Sequence, residues 1–390
     1  MSLVLKKLSD FCKTSSGGTP SRSTPEFFEN GNIPWIKSGE LKNRYVTEVE
    51  EKITQLAVNS SSAKIVPKGA LLIAMYGATV GEVSQLLFDA TTNQAVCSII
   101  PDDSLCDVNY LYRYLQAQKD NLLNLRVGGG QPNISQGIIK DLIVPLPPLE
   151  EQRRIASILD KADDIRQKRQ QAIAKLDELL QATFIDMFGD PVSNPKCWKT
   201  AKLSELVSKD ITYGVLKPEE YTQDGIPMLR IQDINSVDLS KVDNFHLISE
   251  KLSQQYKRTI LEGNEIVISL VGTIGLVAKV PLSFKGFNVH RNLGVISLKD
   301  HSKVDFLESL MKLPHFKVLL ERCTKGGVHK LLNLSDLRDL PVYLPDSKLI
   351  ADYTKILIKI KKLKIDAYSG SEHQDTLFQS LQQKAFNGTL

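Results

Sequence analysis

The stretch PLPPLEEQRRIASILDKADDI (residues 145–165) leads from three prolines directly into a long, charged helix near mid-chain. From residue 155 to residue 187, apolar or small residues recur every three or four positions, which predicts a helix with one apolar seam. Arg169 is the one residue in that seam that is neither apolar nor small. Gly189 and Pro191 follow at the point where such a helix should end. A helix over 150–187 would be roughly 57 Å long, and the prolines stiffen its start.

A second stretch of the same kind ends the sequence. Its apolar positions are Ile350, Tyr353, Leu357, Ile360, Leu363, Leu377, Leu381 and Phe386. Ser369, Gly370 and Ser371 near the middle predict an interruption, because serine and glycine are weak helix formers. One amphipathic helix of this length cannot bury its seam alone, so the two helices are expected to pack on each other.

Both helices belong to a duplication with a period of about 195 residues, half of the chain. The matching blocks are STPEFFENGNIPWIKSGEL (23–41) with LKPEEYTQDGIPMLRIQDI (216–234), GALLIAMYGATVGEV (69–83) with GNEIVISLVGTIGLV (263–277), NQAVCSI (93–99) with NLGVISL (292–298), and KDLIVPLP (140–147) with RDLPVYLP (338–345). Four blocks in the same order predict two similar globular units of short strands and helices, each followed by a long helix.

This organisation predicts four segments, since 390 residues are too many for one ordinary core. They are a first globular domain over 1–145, a central helix over 146–190, a second globular domain over 191–341 and a C-terminal helix over 342–390. A composition of 42% hydrophobic and 24% charged residues is ordinary for a soluble protein. No apolar run is long enough for a membrane span, so a cytoplasmic location is expected. The net charge of +4 permits a polyanionic partner where basic residues cluster.

Motifs for catalysis or metal binding are not found in the sequence. The five cysteines (Cys12, Cys97, Cys106, Cys197 and Cys323) form no close pair, and they are expected to be reduced thiols packed as small apolar side chains rather than a zinc site. The phosphate-binding G-x-x-x-x-G-K-[ST] loop is missing. NPKC (194–197) lacks the second proline and the aromatic ring of an Asn-Pro-Pro-aromatic methyltransferase site, and VGGGQ (127–131) lacks a βαβ context. The sequence therefore predicts a non-catalytic chain.

In order and spacing, these motifs resemble the specificity subunits of type I restriction–modification enzymes over nearly the whole length. The resemblance is carried by GGTPSR with NGNIPWIKSGEL, GATVGEV with TTNQAV, NISQGIIKDLIVPLPPLEEQRRIASILD, and the FGDP…NP…W segment (188–198). It implies an α+β fold: two similar α/β target-recognition domains separated by two long helices packed as an antiparallel coiled coil, with an internal pseudo-twofold repeat.

The resemblance also implies a function, that of a sequence-specific subunit that binds double-stranded DNA. Each domain would read one half of a bipartite, asymmetric target. Two modification subunits would dock on the helices and methylate adenine with S-adenosylmethionine, and restriction subunits would add a motor and nuclease that use ATP and Mg²⁺. The chain would hold no cofactor of its own. YLPDSKLIADYTKIL (343–357) departs from the family's PPLEEQRRI form, which leaves the equivalence of the two docking sites open.

Candidate DNA contacts are polar residues in loops after predicted strands, because readout needs side chains that reach base edges while Lys and Arg on phosphates set the register. In the first domain they are Lys37, Ser38, Lys42, Tyr76, Thr79, Asn93, Gln94, Arg126, Gln131 and Asn133. In the second domain they are Arg230, Gln232, Thr273, His290, Arg291, Asn292, Lys325, His329 and Lys330. HRN (290–292) and KGGVHK (325–330) combine basic, imidazole or amide donors.

Some of these residues are expected to be structural. Asn93 matches Asn292 in the repeat although the two domains should read different bases, so both are expected to be structural rather than specifying. Trp35 is replaced by Met228 in the repeat, which favours a core position over a base-stacking platform.

Two other classes of function stay open at this point: a protein-only scaffold with two binding domains, and a fused methyltransferase. The missing Asn-Pro-Pro-aromatic motif argues against the enzyme. A gel shift of the chain with its modification partner on genomic DNA fragments separates the scaffold from the specificity subunit.

The central helix is predicted to act as a ruler between the half-sites. Four residues inserted near Gln170 would lengthen it by roughly 6 Å and turn it about 40° beyond one full turn, while nearly preserving the seam. Since DNA rises about 3.4 Å per base pair, methylome sequencing should show both half-sites kept and the unspecified gap lengthened by one or two base pairs. An unchanged gap at full activity would show that the helix is not the ruler.

Overall fold

A computed structural model describes residues 4–125, 133–217, 224–234, 239, 242, 244–323 and 331–390, with the backbone alone at 321–323 and 371–373. The chain forms two compact units. Unit 1 is Met1–Gln170 together with Ser369–Leu390, and unit 2 is Gln171–Tyr368. Each unit therefore contains part of both long helices.

Unit 1 is built on a mixed set of short strands and helices. Its strands are β1 (Val4–Lys7), β2 (Cys12–Ser16), β3 (Ile33–Ile36), β4 (Tyr45–Val46), β5 (Lys52–Ile53), β6 (Leu71–Ala74), β7 (Val83–Leu86), β8 (Thr91–Thr92), β9 (Val96–Pro101) and β10 (Ile143–Leu146). Its helices are α1 (Gln55–Ser60), α2 (Val108–Ala117), α3 (Lys119–Asn124), α4 (Gln136–Lys140) and the first part of α5 (Leu149–Phe188).

The centre of unit 1 is a five-stranded sheet in the order β2-β9-β6-β7-β4. The apolar run of β6 is buried along its whole length, as expected for a strand covered on both faces. A three-stranded sheet, β5-β3-β8, lies beside it in the fold, and β1 pairs with β10. Helix α2 packs into the same core and begins at Asp107, whose carboxylate accepts the N–H groups of Asn109 and Tyr110.

Unit 2 repeats this arrangement. Its described strands are β11 (Lys199–Lys202), β12 (Ile226–Leu229), β13 (His246–Ile248), β14 (Ile266–Ser269), β15 (Val277–Lys279), β16 (Asn288–Val289), β17 (Leu293–Ile296) and β18 (Pro341–Leu344). Its helices are α6 (Leu203–Leu206), α7 (Ile231–Ile234), α8 (Glu250–Gln255), α9 (Val304–Lys312), α10 (Pro314–Cys323), α11 (Leu334–Arg338) and the first part of α12 (Ser347–Asn387).

Strand pairing confirms the duplication and the α+β class. β3 pairs antiparallel with β5 and parallel with β8, and β12 does the same with β13 and β16. The pair β1–β10 corresponds to β11–β18, and each is crossed by an exposed ion pair, Lys7–Asp141 at 2.8 Å and Lys202–Asp339 at 2.7 Å. The four domain boundaries predicted from the sequence stay predictions.

The strand register corrects one predicted match. Val96 pairs with the last residue of β6, and Leu293 pairs with the last residue of β14, so these two residues are equivalent. Asn93 therefore corresponds to His290, and the predicted match of Asn93 with Asn292 is wrong by two residues. Side chains alternate with a period of two along a strand, so a shift of two keeps the apolar pattern and hides the error.

The first part of α5 buries a stripe against the core of unit 1. Ile155, Ala156 and Leu159 are buried there, whereas Ile165, a predicted seam residue, is 54% exposed. On α12, Leu363 and Leu377 were also predicted in the seam and are exposed. A repeat of 3.5 residues drifts around a straight helix of 3.6 residues per turn, so the buried positions depart from a strict seam.

Helix α12 runs from Ser347 to Asn387 without a break, so the predicted interruption at residues 369–371 is wrong. Gly370 stays helical and leaves room for Arg169, the charged residue of the α5 pattern. A Cβ on Gly370 would lie 1.4 Å from Nη1 of Arg169. Within unit 1, Arg166 also pairs with Asp375 at 3.1 Å. These contacts align α5 and α12 antiparallel in this unit.

In unit 2 the same two helices meet through aromatic rings. Phe184 and Phe188 of α5 contact Tyr353 of α12, with ring centroids 5.3 Å apart in both pairs, and Phe306 of α9 stacks on Phe184. All four rings are buried. Helix α5 ends at Phe188, and Gly189 follows at a φ of +83°, as the sequence predicts.

The cysteines follow the sequence expectation in part. Cys97 and Cys106 are buried, and Cys12 is half-buried. Burial raises the pKa of the Cys12 and Cys97 thiols to about 12. Cys197 is exposed, because it lies in the turn after α5 with a φ of +53°, so its predicted burial is wrong.

Ion pairs join each globular part to its long helix, with opposite polarity in the two units, and the charge from the globular part is buried in both. In unit 1 the cation Arg113 of α2 lies 2.7 Å from Asp160 and 2.9 Å from Asp163 of α5. In unit 2 the anion Glu308 of α9 lies 2.8 Å from Lys361 of α12. The carboxylate of Glu308 also contacts Lys312 at 2.7 Å.

The pairing of Glu308 predicts a loss of stability in acid. Burial opposes ionisation of this carboxyl, but Lys312 and Lys361 outweigh it and lower the pKa to about 2 from an ordinary value of 4.5. Its contribution, about 3 kcal/mol, is complete above pH 4.5 and declines as the pH falls towards 2. Urea unfolding of the Glu308→Gln variant should show a smaller decline between pH 6 and pH 3 than the parent.

The exposed Asp210, changed to Asn, is the matched control and should keep the parent's pH dependence. If Glu308→Gln and the parent lose the same free energy of unfolding over this range, the ion pair does not stabilise the unit.

Candidate nucleic-acid interface

In unit 1 the loops that follow β3, β6 and β8 meet and bring predicted DNA contacts together. The Tyr76 hydroxyl donates to the carbonyl oxygen of Gln94 at 2.6 Å, and the Thr79 hydroxyl donates to the carbonyl oxygen of Ser38 at 2.7 Å. Tyr76 also forms a β-bridge with Asn133. We call this group, with Asn93, the first loop cluster.

The cationic candidates beside the first loop cluster differ in their surroundings. The ammonium of Lys37 lies 2.6 Å from Glu50 and 3.0 Å from Glu51. Hydrogen bonds to Glu50 and Glu51 raise the pKa of Lys37, so its charge is already offset within the protein. Lys42 is exposed in the following turn.

Unit 2 has an equivalent group after β12, β14 and β16, which we call the second loop cluster: Arg230, Gln232, Thr273, His290, Arg291 and Asn292. The N–H of Arg230 donates to Asp233 at 2.7 Å, as the N–H of Lys37 donates to Glu40 at 2.7 Å. Arg230 and Lys37 therefore occupy the same position of the fold. The side chains of Gln232, Thr273 and Arg291 are exposed.

His290 lies in a cationic environment. Burial and the charges of Arg291, Arg230 and His246 lower the pKa of His290 from its ordinary value of 6.5, which keeps the imidazole neutral at pH 7. Its Nδ1 accepts the N–H of Asn292 at 3.3 Å. In unit 1 the side-chain oxygen of Asn93 accepts the N–H of Ala95 at 3.2 Å. The two residues build the same turn.

Five predicted contacts lie outside the described residues: Arg126, Gln131, Lys325, His329 and Lys330. Trp35 is confirmed as a core residue, since it is 2% exposed and its Nε1 donates to the carbonyl oxygen of Gly18 at 3.0 Å. Met228, its equivalent in unit 2, is also buried. No structural observation tests whether the other candidates touch DNA, so these stay predictions.

Two glycines that are absent from the predicted site residues also build these clusters. A Cβ on Gly17 would lie 2.1 Å from the carbonyl oxygen of Thr92 in β8, and one on Gly214 would lie 1.8 Å from that of Val289 in β16. Such close main-chain approach requires glycine. The signal available in the sequence is a glycine after a short polar run in both units, SSG and TYG.

Two properties of the described residues complete the site's chemistry. Among them, no group of three or more His, Cys, Asp or Glu side chains is placed to hold a metal ion. No helix in the described part of the chain is both long and apolar enough to cross a membrane.

Two successive α+β domains with polar loop clusters define a class of modular recognition proteins. The model of the type I restriction modification DNA specificity domain matches the chain twice, over residues 3–175 and 195–367. The chain belongs to this family.

Similar proteins agree with this assignment. The type I restriction enzyme MjaIX specificity subunit of Methanocaldococcus jannaschii is 25% identical over 90% of this chain and 85% of its own length. The EcoBI specificity subunit of Escherichia coli is 28% identical over 77% of this chain and 69% of its own length.

Solved structures share the fold. The crystal structure of a type I restriction-modification system S subunit from M. genitalium has a TM-score of 0.57 and 17% identity, and the match covers 99% of this chain and 96% of that one. A chain solved in work on complex assembly and conformational transition of the type I R-M system has a TM-score of 0.60 and 15% identity over all of both chains.

The close approach at Gly17 predicts a selective loss of stability in unit 1. Gly17→Ala would push a methyl group into the β8 main chain, and overpacking of this kind costs about 2 kcal/mol or more. Gly39→Ala is the matched control, since a Cβ there meets nothing within 4 Å. Thermal unfolding should show a lower Tm for Gly17→Ala only. Equal Tm values would mean that the approach tolerates a side chain.

Proposed function

We propose that this chain is the specificity subunit of a type I restriction–modification complex, with each loop cluster reading one half of a bipartite, asymmetric DNA target. One observation carries the proposal. Positions that are equivalent by main-chain hydrogen bonding hold different polar side chains: Lys37 and Arg230, Asn93 and His290, Gln94 and Arg291. A conserved framework with divergent polar side chains is suited to reading two different sequences.

The charges beside the two clusters differ in how far they are free to bind the DNA backbone. Phosphate contacts require cations that are not already neutralised. Glu50 and Glu51 offset the charge of Lys37, and Asp233 pairs with Arg230 at 3.4 Å. The exposed Lys42 is therefore the candidate proposed for phosphate contact.

Partner subunits are proposed to bind the long helices. Exposed large apolar side chains lie on both of them: Ile165, Leu179, Ile358, Leu363, Ile365 and Leu377. Exposed apolar side chains on a helix can be covered by a partner, which supports docking of two modification subunits. Ile358 and Ile365 of α12 have polar counterparts in α5, Asp160 and Gln167, so the two docking sites would differ in detail.

The division of chemistry follows from the same proposal. The modification subunits would methylate adenine with S-adenosylmethionine, and restriction subunits would supply the motor and nuclease that use ATP and Mg²⁺. This chain would contribute recognition without catalysis or a cofactor, in the cytoplasm where the target DNA lies. The ruler role of α5 is part of the proposal.

Exchange of one domain tests the proposal directly. Replacing residues 1–145 by the equivalent domain of a relative should change one half of the methylated motif and leave the other half intact, because each cluster is built within its own unit. Methylome sequencing of cells that express the chimaera with the modification subunit measures both halves.

A gel shift with the purified complex provides the second measurement. A protein scaffold would give no sequence-specific shift with the parent chain, and simultaneous change of both half-sites in the chimaera would contradict separate reading by the two units.

A further inference from the structure

The turn after β8 in unit 1 and the turn after β16 in unit 2 begin with two residues that have corresponding positions in the fold. The first residue is Asn93 or His290, and the second residue is Gln94 or Arg291. We infer that the second residue of each turn is a base-reading side chain, Gln94 for the first half-site and Arg291 for the second. The inference rests on the proposed function and names the residues that set its specificity.

The first residue of the turn is used by the turn itself. The side-chain acceptor of Asn93 binds the N–H of Ala95, and that of His290 binds the N–H of Asn292. The main chain of the same residues is held by the neighbouring parallel strand, β3 or β12, since Asn93 N–H donates to the carbonyl oxygen of Ile36 and His290 N–H donates to that of the equivalent Leu229, both at 2.9 Å. Asn93 and His290 therefore hold the turn in place.

The far side of the turn is anchored in the same way in both units. The carbonyl oxygen of Ala95 accepts the N–H of Met75, and that of Asn292 accepts the N–H of Leu270, both at 2.8 Å. A residue held by main-chain bonds on both sides presents its side chain from a rigid base. Rigid placement is what selective recognition requires.

The second residue of each turn is exposed. The side-chain oxygen of Gln94 accepts the hydroxyl of Thr19, and Nη1 of Arg291 donates to the carbonyl oxygen of Leu216 at 3.1 Å. Thr19 and Leu216 are equivalent, because each lies two residues after the close-approach glycine, Gly17 or Gly214. Both side chains are therefore held at the same segment after the close-approach glycine, Gln94 by a side-chain hydroxyl and Arg291 by a main-chain carbonyl oxygen.

The hydrogen-bonding groups of these two side chains determine which base edges they can bind. A Gln amide can bond to N6 and N7 of adenine, and an Arg guanidinium can bond to O6 and N7 of guanine in the major groove. Gln94 is therefore assigned to an adenine of the first half-site and Arg291 to a guanine of the second.

The test exchanges the two side-chain types between the two turns. The Gln94→Arg and Arg291→Gln variants are each assembled with the modification subunits, and binding to DNA with randomised half-sites is measured together with the methylome. Gln94→Arg should change one adenine of the first half-site to guanine, and Arg291→Gln should change one guanine of the second half-site to adenine. A bidentate contact discriminates by roughly 10-fold to 100-fold, and the unaltered half-site should keep its preference.

Matched controls use exposed residues outside the turns. Gln55→Arg on α1 and Arg258→Gln in the turn Lys257–Thr259 make the same changes of chemistry. Both should leave the motif unaltered. Gln94→Ala is a second variant for the first half-site, and it should relax the preference at one position without affecting the second half-site.

Three outcomes would overturn the inference. The first is a methylated motif that stays unaltered in both exchange variants. The second is an affinity that falls equally for all DNA sequences, with a weaker dependence on salt concentration, which would assign the side chains to phosphates. Loss of binding to both half-sites by Gln94→Ala would assign it to folding. Failure of the parent complex to bind any DNA sequence preferentially would refute the proposed function instead.

Discussion

Main-chain hydrogen bonds are the part of the polar loop cluster that both units share, beside side-chain bonds such as those of Asn93 and His290. The turn after β8 and the turn after β16 are held by the same set of N–H and carbonyl partners, although their side chains differ. A main-chain bond does not depend on residue identity, so the exposed positions can change without loss of the framework. The close approach of Gly17 and Gly214 to the main chain restricts these two positions of the framework to glycine.

The large features of the fold could be predicted from the sequence, because they repeat or follow a regular period. The duplication, the two long helices, the end of α5 before Gly189 and the burial of Trp35 all agree with the structure. The alignment of Asn93 failed because a strand pattern repeats every two residues, so periodicity alone cannot choose between registers that differ by two. Only the cross-strand partners decide the register.

Features that depend on partners distant in sequence were not predictable. Lys37 was chosen as a cation for phosphate, but Glu50 and Glu51 lie against it in the folded unit. Gly370 predicts a helix break, but the helix continues through it, and the side chain of Arg169 fills the space beside this glycine. In both cases the position contacts a residue from another segment of the chain, and the local sequence does not reveal that contact.

The reversed polarity of these ion pairs affects which globular part can pack on which long-helix segment of the duplicated chain. A globular part of unit 1 placed on the α12 segment of unit 2 would set the cation Arg113 against the cation Lys361, and the opposite error would set Glu308 against Asp160 and Asp163. Arg113 and Glu308 are buried, so either mismatch would leave a buried charge without its partner, which is destabilising. Each globular part thus carries a charge opposite to that of its own helix, and a chimaera that exchanges a globular part together with its helix keeps these pairs.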